Sequence, residues 1–153
     1  MLVEPEIADI FDEMRSVSTP MGEVSSLSPK RGLFTGCNDV FIGTADEQRD
    51  RLGESADEWT RPVIRGRDVS AWEINPGERI VWGYDDEAQL TETVPEAFRV
   101  YFEAHRQRLE ARSDYRDQLP LWQAYRVKPG VADPKVVWRD MSPRLEAAFA
   151  GCD

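Results

Sequence analysis

The sequence predicts an α+β domain that combines a small mixed or antiparallel sheet with a long amphipathic helix and an N-terminal helix. The long helix is expected over about residues 94–112, where apolar side chains recur at helical spacing. The sheet is expected from two short β-rich runs, residues 79–84 and 135–139, that stand close to turn-forming residues. A chain of 153 residues, 41% of them hydrophobic, is long enough for one domain with its own core.

The N-terminal third is expected to hold one helix and an extended stretch. Residues 1–18 form a lead-in helix in this interpretation, because apolar residues follow helical spacing there. Residues 23–43 look extended, with Val40-Phe41-Ile42 as an apolar strand. Residues 44–60 are acidic and polar, which indicates a surface excursion with a short helix near 45–52. The apolar positions of the lead-in helix are Ile7, Ile10, Phe11 and Met14.

The remaining elements follow from turn and capping signals. Asn75-Pro76-Gly77 predicts a turn before the strand at 79–84. Thr93 and Glu96 have the spacing of a capping box, in which each side chain satisfies a free backbone N–H at the start of a helix. An aromatic segment follows at 121–126, and residues 143–149 are expected to begin a final helix. One face of the long helix carries Val94, Phe98, Tyr101, Phe102, His105 and Leu109, and Glu103 can pair with Arg106 outside it.

The net charge of −10 opposes nucleic-acid binding, because contacts to phosphate need Lys and Arg. Of the 19 basic residues, however, 16 are Arg, the side chain that suits bidentate contacts to phosphate and guanine. A basic face can also exist on an acidic domain, since net charge is not local charge. The charge therefore weakens a nucleic-acid hypothesis without excluding it.

Residues for independent catalysis are scarce. The single histidine, His105, lies on the apolar side of the long helix, where a core or boundary role is expected rather than catalysis or metal binding. No phosphate-binding loop and no Gly-x-Gly-x-x-Gly motif occur, and Cys37 and Cys152 form no metal-type pair. We expect a cytoplasmic chain that is no enzyme by itself, holds no cofactor or metal and does not span a membrane.

Two segments combine Arg with Gly. The first runs Lys30-Arg31-Gly32-Leu33-Phe34-Thr35-Gly36-Cys37-Asn38-Asp39-Val40-Phe41, and the second runs Val63-Ile64-Arg65-Gly66-Arg67-Asp68-Val69. Gly allows the backbone to approach a ligand closely, and Arg supplies a planar fork of donors. Thr and Asn side chains can contact base edges or phosphates. From the pattern alone, a pair of turns with solvated arginines explains the segments about as well.

Both segments resemble the TaqI-like C-terminal specificity domain of type II DNA methyltransferases and fused restriction–modification enzymes. Residues 31–41 are similar to that family's Arg-Gly-Ile-x-Thr-Gly-x-Asn-x-Ala-Phe, and residues 64–69 to its Leu-Arg-Gly-Arg-Asp-Ile. Three weaker resemblances keep the family order. They are the lead-in at 19–23, a helix over 101–112 with a Leu-x-x-Arg ending, and Pro-Lys-Val-Val-Trp-Arg-Asp-Met-Ser at 134–142.

The resemblance implies a target-recognition domain of a restriction–modification type adenine-N6 DNA methyltransferase. Its partners would be double-stranded DNA and a methyltransferase catalytic domain, in the same polypeptide or a separate subunit. In this family S-adenosylmethionine binds the catalytic domain, which carries an Asn-Pro-Pro-Tyr motif. Asn75-Pro76-Gly77 does not match that motif. We therefore expect residues 1–153 to form a single recognition domain, cut short at its C-terminal end and without the catalytic part.

The residues expected near DNA lie in the two Arg–Gly segments: Lys30, Arg31, Thr35, Asn38, Arg65 and Arg67. Two structural alternatives stay open. In the first, Asp68 locks Arg65 or Arg67 instead of serving DNA. In the second, the core accommodates Trp72, Trp82 and Trp138 better than a stacking surface does, with Trp122 and Tyr125 undecided. The rival function is an acidic protein-interaction module, either a DNA mimic or a subunit that docks on a methyltransferase.

Overall fold

The computed structural model describes residues 5–20, 23–24, 30–131, 134–140, 143–144 and 146–151. Predictions for Met21, Gly22, residues 25–29, Met141, Ser142 and Cys152 lie outside these ranges. The chain divides into two compact units, Met1–Arg31 and Gly32–Asp153. The first contains helix α1 (Pro5–Val17), which confirms the predicted N-terminal helix. Its apolar side chains are exposed, among them Ile10, Phe11 and Met14.

The second unit has the predicted α+β character, with small antiparallel sheets. Its central sheet has the strand order β1-β5-β2, and two further sheets pair β3 with β4 and β6 with β7. Ile80 of β5 lies between Ile42 of β1 and Arg61 of β2. The strands are β1 (Ile42–Gly43), β2 (Thr60–Val63), β3 (Val69–Ser70), β4 (Glu73–Ile74), β5 (Glu78–Val81), β6 (Lys135–Trp138) and β7 (Ala147–Ala150).

Five helices of the second unit lie within the described residues: α2 (Asn38–Phe41), α3 (Ala45–Leu52), α4 (Glu96–Ala104), α5 (Arg106–Glu110) and α6 (Val127–Val131). Helix α3 confirms the short helix predicted near 45–52. It begins with a capping box in which the Thr44 side chain accepts from the Glu47 backbone N–H and the Glu47 carboxylate accepts from the Thr44 N–H. A capping box was predicted at Thr93 and Glu96, but no side chain caps the start of α4 there.

The predicted helix over 94–112 is shorter and broken. Pro95 is the N-cap residue of α4, and a residue before proline is pushed out of the helical conformation, so Val94 stays outside the helix. The helical hydrogen bonding is interrupted at His105, which separates α4 from α5. The predicted Glu103–Arg106 pair is present with an N–O distance of 2.7 Å. His105 is half-buried against the Tyr101 ring, as expected for a boundary residue.

Two other local predictions are wrong. Val40 and Phe41 belong to helix α2 rather than to a strand, and both are buried in the core. The described residues 147–149, predicted within a final helix, form strand β7. Val137 and Ala148 are opposite each other in the β6–β7 pair, with Ala148 buried, so tertiary pairing overrides the helix preference of alanine.

The core packs α4 and α5 against the central sheet. Phe98, Phe102 and Leu109 are fully buried, and Phe41 meets Phe102 edge-on with ring centroids 5.1 Å apart. Gln48 of α3 is equally buried, and its amide donates to the carbonyl oxygens of Phe41 and Arg79. A buried amide is tolerable because it is hydrogen-bonded, and here it links α3 to the sheet.

The three tryptophans expected in the core differ in burial. Trp82 is buried, as predicted. Trp72 and Trp138 are exposed, and Trp72 retains 92% of its surface, so the core interpretation is wrong for both. Trp72 occupies the turn between β3 and β4 with a φ of 70°, and its backbone N–H donates to the backbone carbonyl of Ala147. This left-handed conformation directs the indole away from the core.

Candidate nucleic-acid interface

Arg112 links the first Arg–Gly segment to the helix end. It is 7% exposed and donates hydrogen bonds to four backbone carbonyl oxygens, at 2.8–2.9 Å. Burial lowers the pKa of this guanidinium from its ordinary value, and nearby tyrosines oppose that change. One side chain thus holds together three parts of the chain. The four acceptors belong to Thr35, Leu109, Leu121 and Gln123.

The packing around Arg112 explains why residue 36 is a glycine. Its φ of +70° lies in the left-handed region that favours glycine. A Cβ atom at this position would lie 3.0 Å from the Cδ atom of Arg112, which is tighter than an ordinary contact. The glycine therefore allows the loop to cross directly over the buried arginine.

Thr35 and Asn38 form a local pair beside this loop. Thr35 is 1% exposed, and its hydroxyl donates to Asn38 Oδ1 at 2.7 Å while accepting from the Cys37 N–H. Asn38 is exposed at the start of α2, and its Nδ2 atom donates to no described residue. Thr35 therefore orients the Asn38 amide so that its two N–H donors remain for a ligand.

Glu78 holds the two arginines of the second Arg–Gly segment. A single oxygen, Glu78 Oε2, accepts from Arg65 Nη1 at 3.0 Å and from Arg67 Nη2 at 2.5 Å. Asp68 has a local role, since its Oδ2 accepts from the Arg65 backbone N–H at 2.7 Å. Sequence reasoning allowed Asp68 to lock these arginines. The structure partly supports this alternative, since Asp68 Oδ1 lies 3.9 Å from Arg67 Nε, but the shorter contacts to both guanidinium groups come from Glu78, which the sequence did not suggest.

The two segments meet at one groove of about 350 Å³. Asn38 and Asp39 come from the first segment and Arg65 from the second, 27 positions along the chain from Asn38 (65 − 38). Tertiary structure therefore brings two of the predicted DNA-contacting residues to the same surface. The other lining residues are Ile42, Gly43, Glu47, Arg51 and Glu78.

Three carboxylates and two arginines line this groove, and its acidic groups are Asp39, Glu47 and Glu78. Burial raises the pKa of Glu78, but hydrogen bonds and charges from Arg65 and Arg67 outweigh it, so the pKa is lowered from its ordinary value of 4.5. A hydrogen bond from Arg108 lowers the pKa of Asp39 in the same way. Both carboxylates are therefore charged at neutral pH. Arg65 and Arg67 are therefore available to another acceptor only when their pairing with Glu78 is broken.

The last two predicted residues, Lys30 and Arg31, belong to the first unit. Both are exposed, and neither forms an ion pair with a described residue. Sequence reasoning missed Arg51 as a groove residue, although it donates to the carbonyl oxygens of Ile42 and Asp39. Its position in an acidic, polar stretch carried no signal, because the groove is formed only when α3 packs beside β1.

Among the described residues, no group of three or more His, Cys, Asp or Glu side chains could hold a metal ion. No helix in that part of the chain is long and apolar enough to cross a membrane. Comparison with protein-family models and with curated proteins finds no match for this chain. The function therefore has to be argued from the geometry of the site.

Proposed function

We propose that this chain recognises double-stranded DNA for an adenine-N6 methyltransferase of the restriction–modification type, whose catalytic domain is a separate unit that binds S-adenosylmethionine. The observation that carries the proposal is the groove at which Asn38 and Arg65 meet. Two segments that resemble one family's motifs are distant in sequence yet share this surface. Such convergence is expected if both segments serve the same ligand.

The groove offers donors suited to DNA. The free N–H donors of Asn38 match phosphate oxygens or the acceptor atoms of a base edge. Arg65 and Arg67 present guanidinium forks, which match phosphate better than the single carboxylate oxygen they now share. The side chain of Arg67 is 62% exposed, so it can turn toward the duplex at little cost. In this proposal the arginines set the register and the catalytic domain flips the adenine.

Glu78 acts as an internal competitor for phosphate in this mechanism. Removing its charge should free both arginines without removing a cation. We therefore expect Glu78→Gln to bind duplex DNA more tightly than the wild type, and Arg65→Ala and Arg67→Ala to bind it more weakly. Each lost phosphate contact should also make the salt dependence shallower by about one unit of slope.

The experiment measures fluorescence anisotropy of a labelled mixed-sequence duplex from about 20 to about 200 mM salt. Arg99→Ala is the matched control, because Arg99 is an exposed arginine that pairs with Glu96 and does not line the groove. No binding at low salt by the wild type and by Glu78→Gln, with a catalytic partner supplied, would refute the proposal. Equal losses for Arg65→Ala and Arg99→Ala would refute the assignment of the groove.

A second candidate is the acidic protein-interaction module, and one observation favours it. The outer face of the β6–β7 sheet presents Val136 opposite Phe149, with Trp138 on the same side, and all three are exposed. Exposed aromatic and branched side chains on one sheet face are typical of protein contacts. This candidate predicts that Trp138→Ser and Phe149→Ser abolish co-purification with a methyltransferase subunit. DNA binding that survives both substitutions would separate the two functions.

A further inference from the structure

We propose that a second pocket, distinct from the groove, binds a phosphate group. The pocket has a volume of about 310 Å³ and is open to solvent. It lies where the turn after α5 meets the residues just before α6, and it shares no residue with the groove. Its lining residues are Ser113, Asp114, Tyr115, Arg116, Tyr125 and Arg126.

The arginines of this pocket differ from most exposed arginines of the second unit, which pair with a carboxylate or, like Arg61, donate to backbone carbonyls. Exposed arginines such as Arg49, Arg99 and Arg106 are each paired with a carboxylate. Arg116 and Arg126 are also exposed, but neither forms an ion pair with a described carboxylate, even though Asp114 lines the same pocket. In a chain with a net charge of −10, two unpaired guanidinium groups at one pocket are available for an external anion.

Arg126 is held in place before any ligand arrives. Its φ of 57° is unusual for a residue with a side chain, and such strain persists only where the surroundings impose it. The constraint is an antiparallel bridge between Phe34 and Tyr125, with N–O distances of 2.7 and 3.0 Å. The Arg126 guanidinium then lies 5.9 Å from the centre of the Phe34 ring. Fixing the side chain in this way lowers the entropy that binding would cost.

Tyr125 supplies a donor that has no acceptor. Its hydroxyl is buried and forms no hydrogen bond in the described structure, although Tyr125 as a whole is only half-buried. Buried polar groups are normally paired, so an unpaired one indicates a missing partner. The guanidinium of Arg112, 5.7 Å from the Tyr125 ring centre, adds positive potential behind it. Tyr125 lines the pocket, so the proposal assigns a phosphate oxygen as the missing acceptor of this hydroxyl.

The donors at this pocket suit a phosphate group better than a carboxylate. A carboxylate is planar and is satisfied by one guanidinium fork, whereas a phosphate offers several oxygens in a tetrahedral arrangement. The lining residues come from two parts of the chain; Arg116 and Arg126 carry guanidinium groups, and Ser113, Tyr115 and Tyr125 carry hydroxyl groups. The phosphate can belong to a nucleic-acid backbone or to a free phosphate compound. The inference does not depend on the proposed recognition function.

The test is an amide NMR titration of the full chain with inorganic phosphate at constant ionic strength, with chloride as the balancing anion. We expect saturable shifts at residues 113–116 and 125–126. Arg116→Gln and Arg126→Gln should each weaken binding by about tenfold, the usual effect of losing one charged hydrogen bond. Arg99→Gln, which removes an equal charge from the outside of α4, should leave the affinity unchanged.

Tyr125→Phe provides a second, independent readout. Removing an unpaired buried hydroxyl should raise the thermal midpoint of the free protein or leave it unchanged, while phosphate affinity falls. A purely structural role for Tyr125 would move only the thermal midpoint. Loss of phosphate affinity without loss of stability therefore identifies the hydroxyl as a ligand.

Competition with a 12-base-pair duplex distinguishes the source of the phosphate. A duplex that displaces inorganic phosphate supports a nucleic-acid backbone contact, and one that does not supports a site for free phosphate or a phosphomonoester. Either result supports a phosphate site, whatever the DNA assays at the groove yield. Shifts that never saturate, or that survive both arginine substitutions, would overturn the inference.

Discussion

Arg112 should be the most sensitive position of the second unit, and Arg112→Met tests this. The substitution keeps a long apolar stem but removes the guanidinium that donates to four backbone carbonyl oxygens. Those carbonyls come from the helix end, from the Thr35 loop and from the aromatic segment. Without the guanidinium the carbonyls of Thr35, Leu121 and Gln123 lose this donor in a part of the molecule that is closed to water, since Arg112 is 7% exposed, while the Leu109 carbonyl still accepts from the Arg112 backbone N–H.

The magnitude follows from the cost of unpaired buried groups. A hydrogen bond to a charged group contributes about 1.5–3 kcal/mol, so four of them set an upper limit of about 6–12 kcal/mol. Part of this is offset, because burial opposes the charge of Arg112 and lowers its pKa. Each neutral carbonyl left without a partner costs about 1–3 kcal/mol, and with the relief from removing a buried charge we expect a net loss of about 3–5 kcal/mol. Since domains are stable by about 5–15 kcal/mol, the variant should be close to unfolding.

The assay is urea unfolding followed by circular dichroism, with Arg106→Met as the control. Arg106 is the first residue of α5, which ends two residues before Arg112; it is exposed and pairs with Glu103 and Glu110, so its loss should cost less than about 1 kcal/mol. Arg112→Lys should also destabilise the protein, because an ammonium group cannot reach carbonyl oxygens on several sides at once. If Arg112→Met lowers the free energy of unfolding by less than about 1 kcal/mol, Arg112 does not hold these parts of the chain together as described.

Three further predictions concern single side chains. Gly36→Ala should destabilise the wild type by about 1–2 kcal/mol, because residue 36 has a φ of +70° and its new Cβ would crowd Arg112. A double-mutant cycle in urea should show a smaller loss in the Arg112→Met background, and equal losses would exclude the contact. Because the pKa of Glu78 is lowered in the folded state, its stabilisation is present above about pH 4.5 and lost as the pH falls further. Melting curves of the wild type and Glu78→Gln should therefore converge in acid, and a constant difference at all pH values would contradict this. Trp72→Asn should raise the thermal midpoint by about 2–4 °C, because asparagine tolerates the left-handed conformation and the indole, 92% exposed, contributes little packing. A lower midpoint would reveal a stabilising contact of the ring.

Local chemistry explains the elements that sequence reasoning predicted correctly. Apolar spacing located the helix at residues 5–17 and the buried face of Phe98, Phe102 and Leu109. Short runs of β-branched and aromatic residues located strands β5 and β6. These signals lie within a few neighbouring residues, so they are readable without knowing the fold.

The errors occur where a distant partner decides the conformation. Ala147–Ala150 contains residues that favour helix, and it becomes a strand because β6 offers a pairing edge. Val40 and Phe41 read as strand residues, yet α2 buries both against α4. Trp72 reads as a core residue, and the turn between β3 and β4 turns it outward. Pattern alone cannot weigh such contacts.

The candidate site likewise combines features that the sequence predicts with features that only the tertiary structure creates. The sequence alone determined that the two Arg–Gly segments are the unusual features of the chain, whereas the left-handed conformation of Gly36 became visible only in the structure. Only the tertiary structure decided that Glu78 holds Arg65 and Arg67, and that Asn38 shares a groove with Arg65. The physical reason is separation along the chain: Arg112 and Thr35 are 77 positions apart, and no local pattern records which carbonyls a buried guanidinium will reach.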